Sequence, residues 1–421
     1  MIQATRDLIA RYSQVNWALA DQALVSGANF LTGILLARFL GIEEFGRFTL
    51  AWMAVQFMNS IQFALVSAPM MSIGPKQPAD AAPGYYGATL VQQTAFAGLS
   101  FGLLWVGAAA AAALFPDWRA GGLALPLACA ALAFQMQDYL RRCFFTRGRP
   151  GAAVLNDALR YLAQLAVLVS LAVTVGLDSR AALWTIAGCA AAAAGIGFAG
   201  LRDLAWRAGD FAAIAARHWR FARWLGASAV MHWLSGNLFA LVAGALLGAP
   251  AVGALRAAQN LMAVMHIVFQ GLENVVLRQA AQRLKAGGAA ALAVYLRDVA
   301  GGMLMATAVV AVAAALAPGF WLGLVYGDAF VVYGDVLRWY ALIYLVMALT
   351  LPLRAGLNTL ENTRPIFVAN LCSFAFAALG CYGFVKVFGL FGALYGMFTM
   401  YALMQIILWW GLRGALKRSD G

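Results

Sequence analysis

The strongest chemical signal in this 421-residue sequence is a line of polar side chains between residues 256 and 273. Intervals of three, seven, four and three residues place its members on one helix face: Arg256, Gln259, His266, Gln270 and Glu273. Asn260 lies beside this face, and the opposite face is apolar. Polar groups inside a membrane are costly and turn towards a bundle interior or a water-filled cavity. The pattern predicts a helix that lines a hydrated, substrate-binding cavity. Hydrogen bonding of these side chains to neighbouring helices is the alternative interpretation.

Three other apolar segments carry fainter polar lines. The members that we expect to face the same cavity are Asn29, Arg38, Arg47, Gln56, Asn59 and His232. For each of these residues taken alone, a hydrogen bond to a neighbouring helix is the simpler explanation. Their recurrence in both halves of the chain favours a shared polar vestibule.

Acidic and basic residues form a second group between residues 138 and 160. Asp138 and Arg142 are four apart, and Asp157 and Arg160 are three apart, so each pair can neutralise itself on its own helix. A charge-neutral clamp between two helices is the favoured interpretation. A proton or cation relay, or a gate, is the functional alternative. Asp21 is a further acidic candidate for ion coupling.

Motifs of soluble enzymes are missing. The sequence contains no phosphate-binding P-loop, no G-x-S-x-G and no His/Cys cluster with metal-ligand spacing. The five cysteines are scattered among apolar segments and are interpreted as small apolar residues. We therefore expect neither catalysis nor a metal or other cofactor.

Membrane-spanning helices must position these residues, because the chain is 63% hydrophobic and only 11% charged, with a mean hydropathy of +0.79. A span takes about 20 apolar residues, and roughly twelve such stretches are present. The runs are continuous rather than alternating, which excludes a strand barrel. The net charge of +12 lies mainly on alternate connections, so it predicts cytoplasmic termini rather than nucleic-acid binding.

One hairpin pattern occurs twice, 207 residues apart. Leu40, Gly41 and Gly46 correspond to Leu247, Gly248 and Gly253, each set between two apolar runs. The duplication predicts an all-α membrane protein of two six-helix bundles in a parallel 6+6 repeat. The predicted bundles are residues 1–202 and 223–421, joined by a basic amphipathic linker, residues 203–222.

The chain resembles the polysaccharide (Wzx-like) flippases of the multidrug/oligosaccharidyl-lipid/polysaccharide exporter superfamily. Residues 37–52 (ARFLGIEEFGRFTLAW) and 141–157 (RRCFFTRGRPGAAVLND) carry the resemblance, together with the 6+6 layout. The resemblance implies two bundles around a central V-shaped cavity that is typically cationic, for which Arg38, Arg47 and Arg256 are the matching residues. It also implies alternating access that moves an undecaprenyl-diphosphate-linked oligosaccharide across the bacterial inner membrane, for O-antigen, capsule or exopolysaccharide synthesis. The implied partners are this lipid-linked glycan, membrane lipids and a polysaccharide polymerase or export complex, without nucleic acid.

Four other classes stay open at this point. A cation-coupled drug antiporter of the same superfamily needs buried carboxylates, for which Asp21 and Glu273 are the vestibule candidates. A major-facilitator carrier also has 6+6 spans, but residues 73–86 lack its G-x-x-x-D-R-x-G pattern. A membrane glycan enzyme usually carries a large external loop, and the predicted external loops here are short. A structural scaffold would not need the polar line on residues 256–273.

Overall fold

The computed structural model describes residues 2–114, 120–201 and 208–419, and nearly all of them are α-helical. Thirteen α-helices follow one another in this part of the chain: α1 Ile2–Gln62, α2 Ala68–Ile73, α3 Ala82–Leu114, α4 Ala124–Thr146, α5 Pro150–Thr174, α6 Ser179–Ala199, α7 Ala208–Leu247, α8 Ala249–Met262, α9 Val264–Leu316, α10 Pro318–Tyr326, α11 Gly334–Met347, α12 Thr350–Thr359 and α13 Arg364–Ser419. A short π-helix, Phe63–Ser67, joins α1 to α2.

Eight stretches of this helical structure are long and apolar enough to cross a membrane. Three of them, Ala20–Lys76, Val264–Leu316 and Arg364–Arg418, contain a glycine with non-helical backbone angles and are thereby divided in two. The charged helix α4 adds one more segment. The described residues thus form twelve membrane-length helical segments, which confirms the predicted all-α, polytopic fold.

The duplicated Leu-Gly step has the same backbone geometry in both copies. Gly41 has φ 72° and ψ 172°, and Gly248 has φ 87° and ψ 178°. A positive φ is strained for residues with a side chain, so glycine ends the helix at both places. Pro250 follows in the first turn of α8, where its missing N–H costs no helical hydrogen bond.

The chain divides into two compact units. Unit 1 comprises Met1–Leu40 and Arg47–Val230, and unit 2 comprises Gly41–Gly46 and Met231–Gly421. The turn at residues 41–46 therefore belongs to unit 2, although the helical segments on both sides of it belong to unit 1. Helix α7 passes from unit 1 to unit 2 between Val230 and Met231. Of the predicted linker, residues 203–207 lie outside the described residues, and residues 208–222 form the first part of α7.

Within unit 2 the two turns pack against each other through matched glycines. A β-carbon on Gly46 would overlap the carbonyl of Ala249, and one on Gly253 would overlap the carbonyl of Ile42. Because residues 42 and 46 correspond to 249 and 253 in the repeat, the contact has twofold pseudo-symmetry. Close backbone approach of this kind requires glycine at both positions.

Phe45 anchors the same turn. Its side chain is 2% exposed, and its ring lies edge-on to that of Phe330, with the centroids 6.3 Å apart. Tyr326 continues the aromatic cluster at 5.4 Å from Phe330. The turn is thus held in unit 2 by a buried aromatic side chain as well as by the glycine contacts.

Two irregularities in the helices were not predicted from the sequence. Pro69 has no backbone N–H and its ring crowds the carbonyl four residues earlier, so the preceding turn widens into the π-helix. The helix predicted to carry residues 256–273 is two helices, because α8 ends at Met262 and α9 begins at Val264. Around Ala263 the hydrogen bonds shorten to i→i−3.

Candidate functional site

Arg141 is the centre of a buried charge cluster in unit 1. Its Nε lies 2.7 Å from Oδ2 of Asp157 and 3.0 Å from Oδ2 of Asp21, and Nη2 also contacts Asp21. The two carboxylate side chains are 0% and 1% exposed, against 18% for Arg141. One guanidinium on α4 therefore joins carboxylates from α1 and α5. The sequence patterns did not indicate Arg141 as a functional residue.

The predicted Asp138–Arg142 pair is formed on α4, with Nε and Oδ2 2.7 Å apart. The guanidinium of Arg142 also lies over the ring of Phe63, 4.5 Å from its centroid. Arg141 Nη1 is 3.9 Å from the other oxygen of Asp138.

The expectation that Asp157 pairs with Arg160 on its own helix is wrong. Arg160 donates instead to Oε1 of Gln137 at 2.6 Å, and Gln137 donates to Oδ1 of Asp157 at 2.6 Å. The guanidinium of Arg160 also faces two rings, Phe134 at 4.5 Å and Tyr161 at 4.3 Å. Aromatic faces stabilise a desolvated guanidinium, which helps Arg160 to remain buried although no described carboxylate forms an ion pair with it.

Three aspartates and three arginines thus meet in one network across α1, α4 and α5. Their formal charges cancel, which offsets much of the cost of removing them from water. Oδ1 of Asp21 is buried and has no hydrogen-bond partner, so this carboxyl keeps one free position. The arrangement can hold the three helices together.

Unit 2 holds an arginine in a different environment. Arg256, on α8, is half-buried and donates from Nη1 to Oε1 of Gln259 at 3.0 Å. Its electrostatic neighbours are Tyr340 and Tyr344, which are 4% and 1% exposed. No carboxylate forms an ion pair with Arg256 in the described part of the chain. The hydroxyl of Tyr344 is buried and has no hydrogen-bond partner.

Packing of α8 on α11 explains this environment. Tyr340 and Tyr344 are four residues apart and therefore share one face of α11. The hydroxyl of Tyr326 fixes α8 by donating to the carbonyl of Ala257 at 3.1 Å. The His266 ring lies edge-on to Tyr344, with the centroids 5.3 Å apart.

The predicted polar line therefore divides into two parts. Its first part, Arg256, Gln259 and His266, lies in or beside the buried α8–α11 contact, whereas Gln270 and Glu273 on α9 are exposed. Packing of the first part against α11 agrees with the alternative interpretation for those residues. A hydrated cavity along the whole line stays a prediction.

The residues of the fainter polar lines differ in exposure. Asn29, Arg38 and Gln56 are exposed in unit 1, and Arg47 and Asn59 are half-buried. Asn59 Oδ1 is buried without a hydrogen-bond partner. The neighbour of Arg256, Asn260, is half-buried in unit 2.

A second unit 2 arginine was also missed by sequence patterns. Arg354, on α12, donates from Nη2 to Oδ1 of Asn370 on α13 at 2.8 Å, and its Nε is buried without a partner. Glu273 and the exposed His232 lie within electrostatic range of it. An isolated arginine has no periodic pattern, so only its position near the end of a predicted span could have drawn attention to it.

Solved structures of several membrane transporters share this fold. An inward-facing multidrug resistance MATE family transporter is 14% identical, with 95% of this chain and 96% of that chain covered and a TM-score of 0.74. The lipid II flippase MurJ in an inward closed conformation is 12% identical, with 97% and 88% covered and a TM-score of 0.68. A MOP superfamily transporter from Pyrococcus furiosus is 14% identical, with 98% and 96% covered and a TM-score of 0.62. The chain therefore has the fold of MOP superfamily transporters.

A family model described as MatE matches residues 225–382, which lie in the second half of the chain. No curated protein sequence gave a significant match. The fold is thus shared with multidrug resistance transporters and with a flippase of lipid II.

Proposed function

We propose that the chain is a flippase for oligosaccharide carried on undecaprenyl diphosphate, acting in the bacterial inner membrane by alternating access. The observation that carries the proposal is Arg256 of unit 2. It is a half-buried guanidinium beside two buried tyrosines, with no carboxylate in an ion pair among the described residues. A transporter needs no catalytic residue, and none is assigned.

The surroundings of Arg256 offer hydrogen-bond donors to an anion. The guanidinium presents planar, permanently charged donors that match phosphate oxygens, and the free hydroxyl of Tyr344 adds another. A buried charge without a counter-ion is unfavourable, so an anionic ligand would remove a cost that the protein bears alone. A diphosphate-linked lipid carries this negative charge, whereas a cationic drug does not.

The alternative function is a cation-coupled antiporter for drugs or other small molecules. The MATE neighbours favour it, and a cationic drug would need free carboxylates. In unit 1, however, Asp21 and Asp157 already share Arg141, and Asp138 already pairs with Arg142. In unit 2, Glu273 lies within electrostatic range of Arg354. Because each of these carboxylates has an arginine near it, we favour an anionic substrate.

Coupling is proposed for the unit 1 network, in which Asp21, Asp138, Arg142, Asp157 and Arg160 would act with Arg141 as a gate. Separation of Arg141 from Asp21 would loosen the link between α1 and α4. The alternative role of the network is a clamp between helices. Flipping of the lipid, measured with and without an imposed pH gradient, separates the two roles, because only a coupling network makes the flipping rate depend on the gradient.

The proposed function can be tested in proteoliposomes that contain undecaprenyl diphosphate bearing one fluorescent sugar. Dithionite added outside destroys the fluorescence of the outer leaflet, so the slower loss of the remaining signal measures flipping. We expect the wild type to accelerate flipping and Arg256→Gln to lose at least tenfold of that rate. Arg338→Gln, which removes an arginine from an exposed pair with Asp335, is the control that keeps the rate.

The same vesicles decide between the two functions. An imposed pH gradient with a fluorescent organic cation in place of the lipid measures antiport. Transport of the cation without flipping of the lipid would establish the antiporter and overturn the flippase.

A further inference from the structure

The two units contain the same kind of contact between consecutive helices. In unit 1, Arg141 on α4 contacts Asp157 on α5, and in unit 2, Arg354 on α12 contacts Asn370 on α13. The partners are sixteen residues apart in both cases. Each arginine lies near the end of its helix, and the next helix begins at or just before a proline. The arrangement is therefore a repeated element of the duplicated fold.

The repeated element differs in charge. The Arg141 guanidinium is neutralised by two buried carboxylates, those of Asp21 and Asp157. In unit 2 the position of Asp157 is taken by the uncharged amide of Asn370. No ion pair to Arg354 occurs among the described residues, and Glu273 is only within electrostatic range.

The unit 2 element also has an unfilled hydrogen-bond position. Nε of Arg354 is buried and meets no acceptor. Neighbouring residues on α12, Ala355 and Leu357, are buried in an apolar cluster with Leu296 and Leu412. A guanidinium at the border of such a cluster, held by one amide and carrying an unused donor, has the chemistry of an anion site.

We propose that Arg354, held by Asn370, forms an anion subsite that binds a phosphate group of the transported substrate. This inference rests on the proposed flippase function and adds a second phosphate-binding position to the one at Arg256. The unit 1 counterpart is closed by its own carboxylates and binds no phosphate.

The experiment uses the full-length protein in detergent and inorganic pyrophosphate as the probe, with binding followed by calorimetry. Arg354→Gln removes the charge, whereas Asn370→Asp keeps Arg354 and supplies the carboxylate that Arg141 has in unit 1. We expect each of these two changes to weaken pyrophosphate binding at the Arg354 position at least fivefold. Arg354→Lys should have a smaller effect. Arg338→Gln, which removes an exposed arginine, is the control. The melting temperature of each variant, measured alongside, separates loss of binding from misfolding.

The outcomes separate this subsite from the proposed function. If the wild type flips the lipid in proteoliposomes but binds no pyrophosphate, the flippase proposal stands and the Arg354 subsite is wrong. If Arg256→Gln weakens binding while Arg354→Gln and Asn370→Asp match the wild type, the flippase proposal stands and the Arg354 subsite is wrong. Weakening by Arg354→Gln without weakening by Asn370→Asp would also overturn it, because neutralising the guanidinium must have the same effect as removing it.

Discussion

Replacing Arg141 by glutamine should destabilise the protein strongly. Glutamine can hydrogen-bond one carboxylate but carries no charge, so Asp21 and Asp157 would remain buried with their negative charges unopposed. The structure brings both within 3.0 Å of one guanidinium nitrogen, at 1% and 0% exposure. Removing one partner of a buried ion pair costs about 3–5 kcal/mol, because the remaining charge is left without compensation.

The expected change in melting temperature follows from that cost. Arg141 is 18% exposed, so water screens part of the interaction and the lower figure, about 3 kcal/mol, is appropriate. A folding unit of this size loses roughly 2–4 °C per kcal/mol, which corresponds to a fall of roughly 6–12 °C. Tryptophan fluorescence during heating of the detergent-solubilised protein measures it, with the same scan rate for each variant.

Arg338→Gln is the matched control for this measurement. Arg338 and Asp335 have the same 2.7 Å nitrogen–oxygen distance, but their side chains are 52% and 62% exposed. Exposed pairs contribute about 0–1 kcal/mol, so the melting temperature should fall by less than about 4 °C. Equal decreases for the Arg141 and Arg338 variants would refute the reasoning, because burial would then not determine the effect of the pair.

Three further changes test other contacts by the same thermal measurement. Gly46→Ala should destabilise the protein by about 1–3 kcal/mol, because its methyl group would overlap a backbone carbonyl. The control, Gly27→Ala, lies in open space on α1 and should be neutral or stabilising. A Gly46 variant as stable as the wild type would contradict the packing of the two turns. Tyr344→Phe removes a buried hydroxyl that has no hydrogen-bond partner, so the melting temperature should stay the same or rise. Pyrophosphate binding should weaken. A lower melting temperature would show that the hydroxyl has a structural partner. Tyr85→Phe should lower the free energy of unfolding by about 1–3 kcal/mol, because it removes the 2.8 Å hydrogen bond to the buried His218. Changing both residues to Phe should recover part of this stability. Additive decreases for the two single changes would contradict the pairing.

The sequence patterns predicted those parts of the fold that depend on local features. Long apolar runs are visible in the sequence, and the ends of helices at Gly41 and Gly248 are visible because the pattern occurs twice. The pair of Asp138 and Arg142 was also predictable, because residues four apart are neighbours on one helix face.

Contacts between distant residues were not predictable in this way. Arg141 and Asp21 are 120 residues apart, so no local spacing indicates that they meet. The expected Asp157–Arg160 pair was plausible by spacing, but Arg141 reaches Asp157 from the neighbouring helix. Arg160 turns instead to Gln137 and two aromatic rings. A choice among several partners depends on how helices pack, which a single sequence does not encode in its spacing.

The place of residues 41–46 in unit 2 has a consequence for the synthesis of the protein. Phe45 packs against Phe330, which emerges from the ribosome 285 residues later. At about 5–20 residues per second, this separation corresponds to a delay of roughly 14–57 s. During that time the first hairpin is in the membrane while its tip lacks its packing partners. One of the first turns of the chain to be made is thus among the last to reach its final contacts.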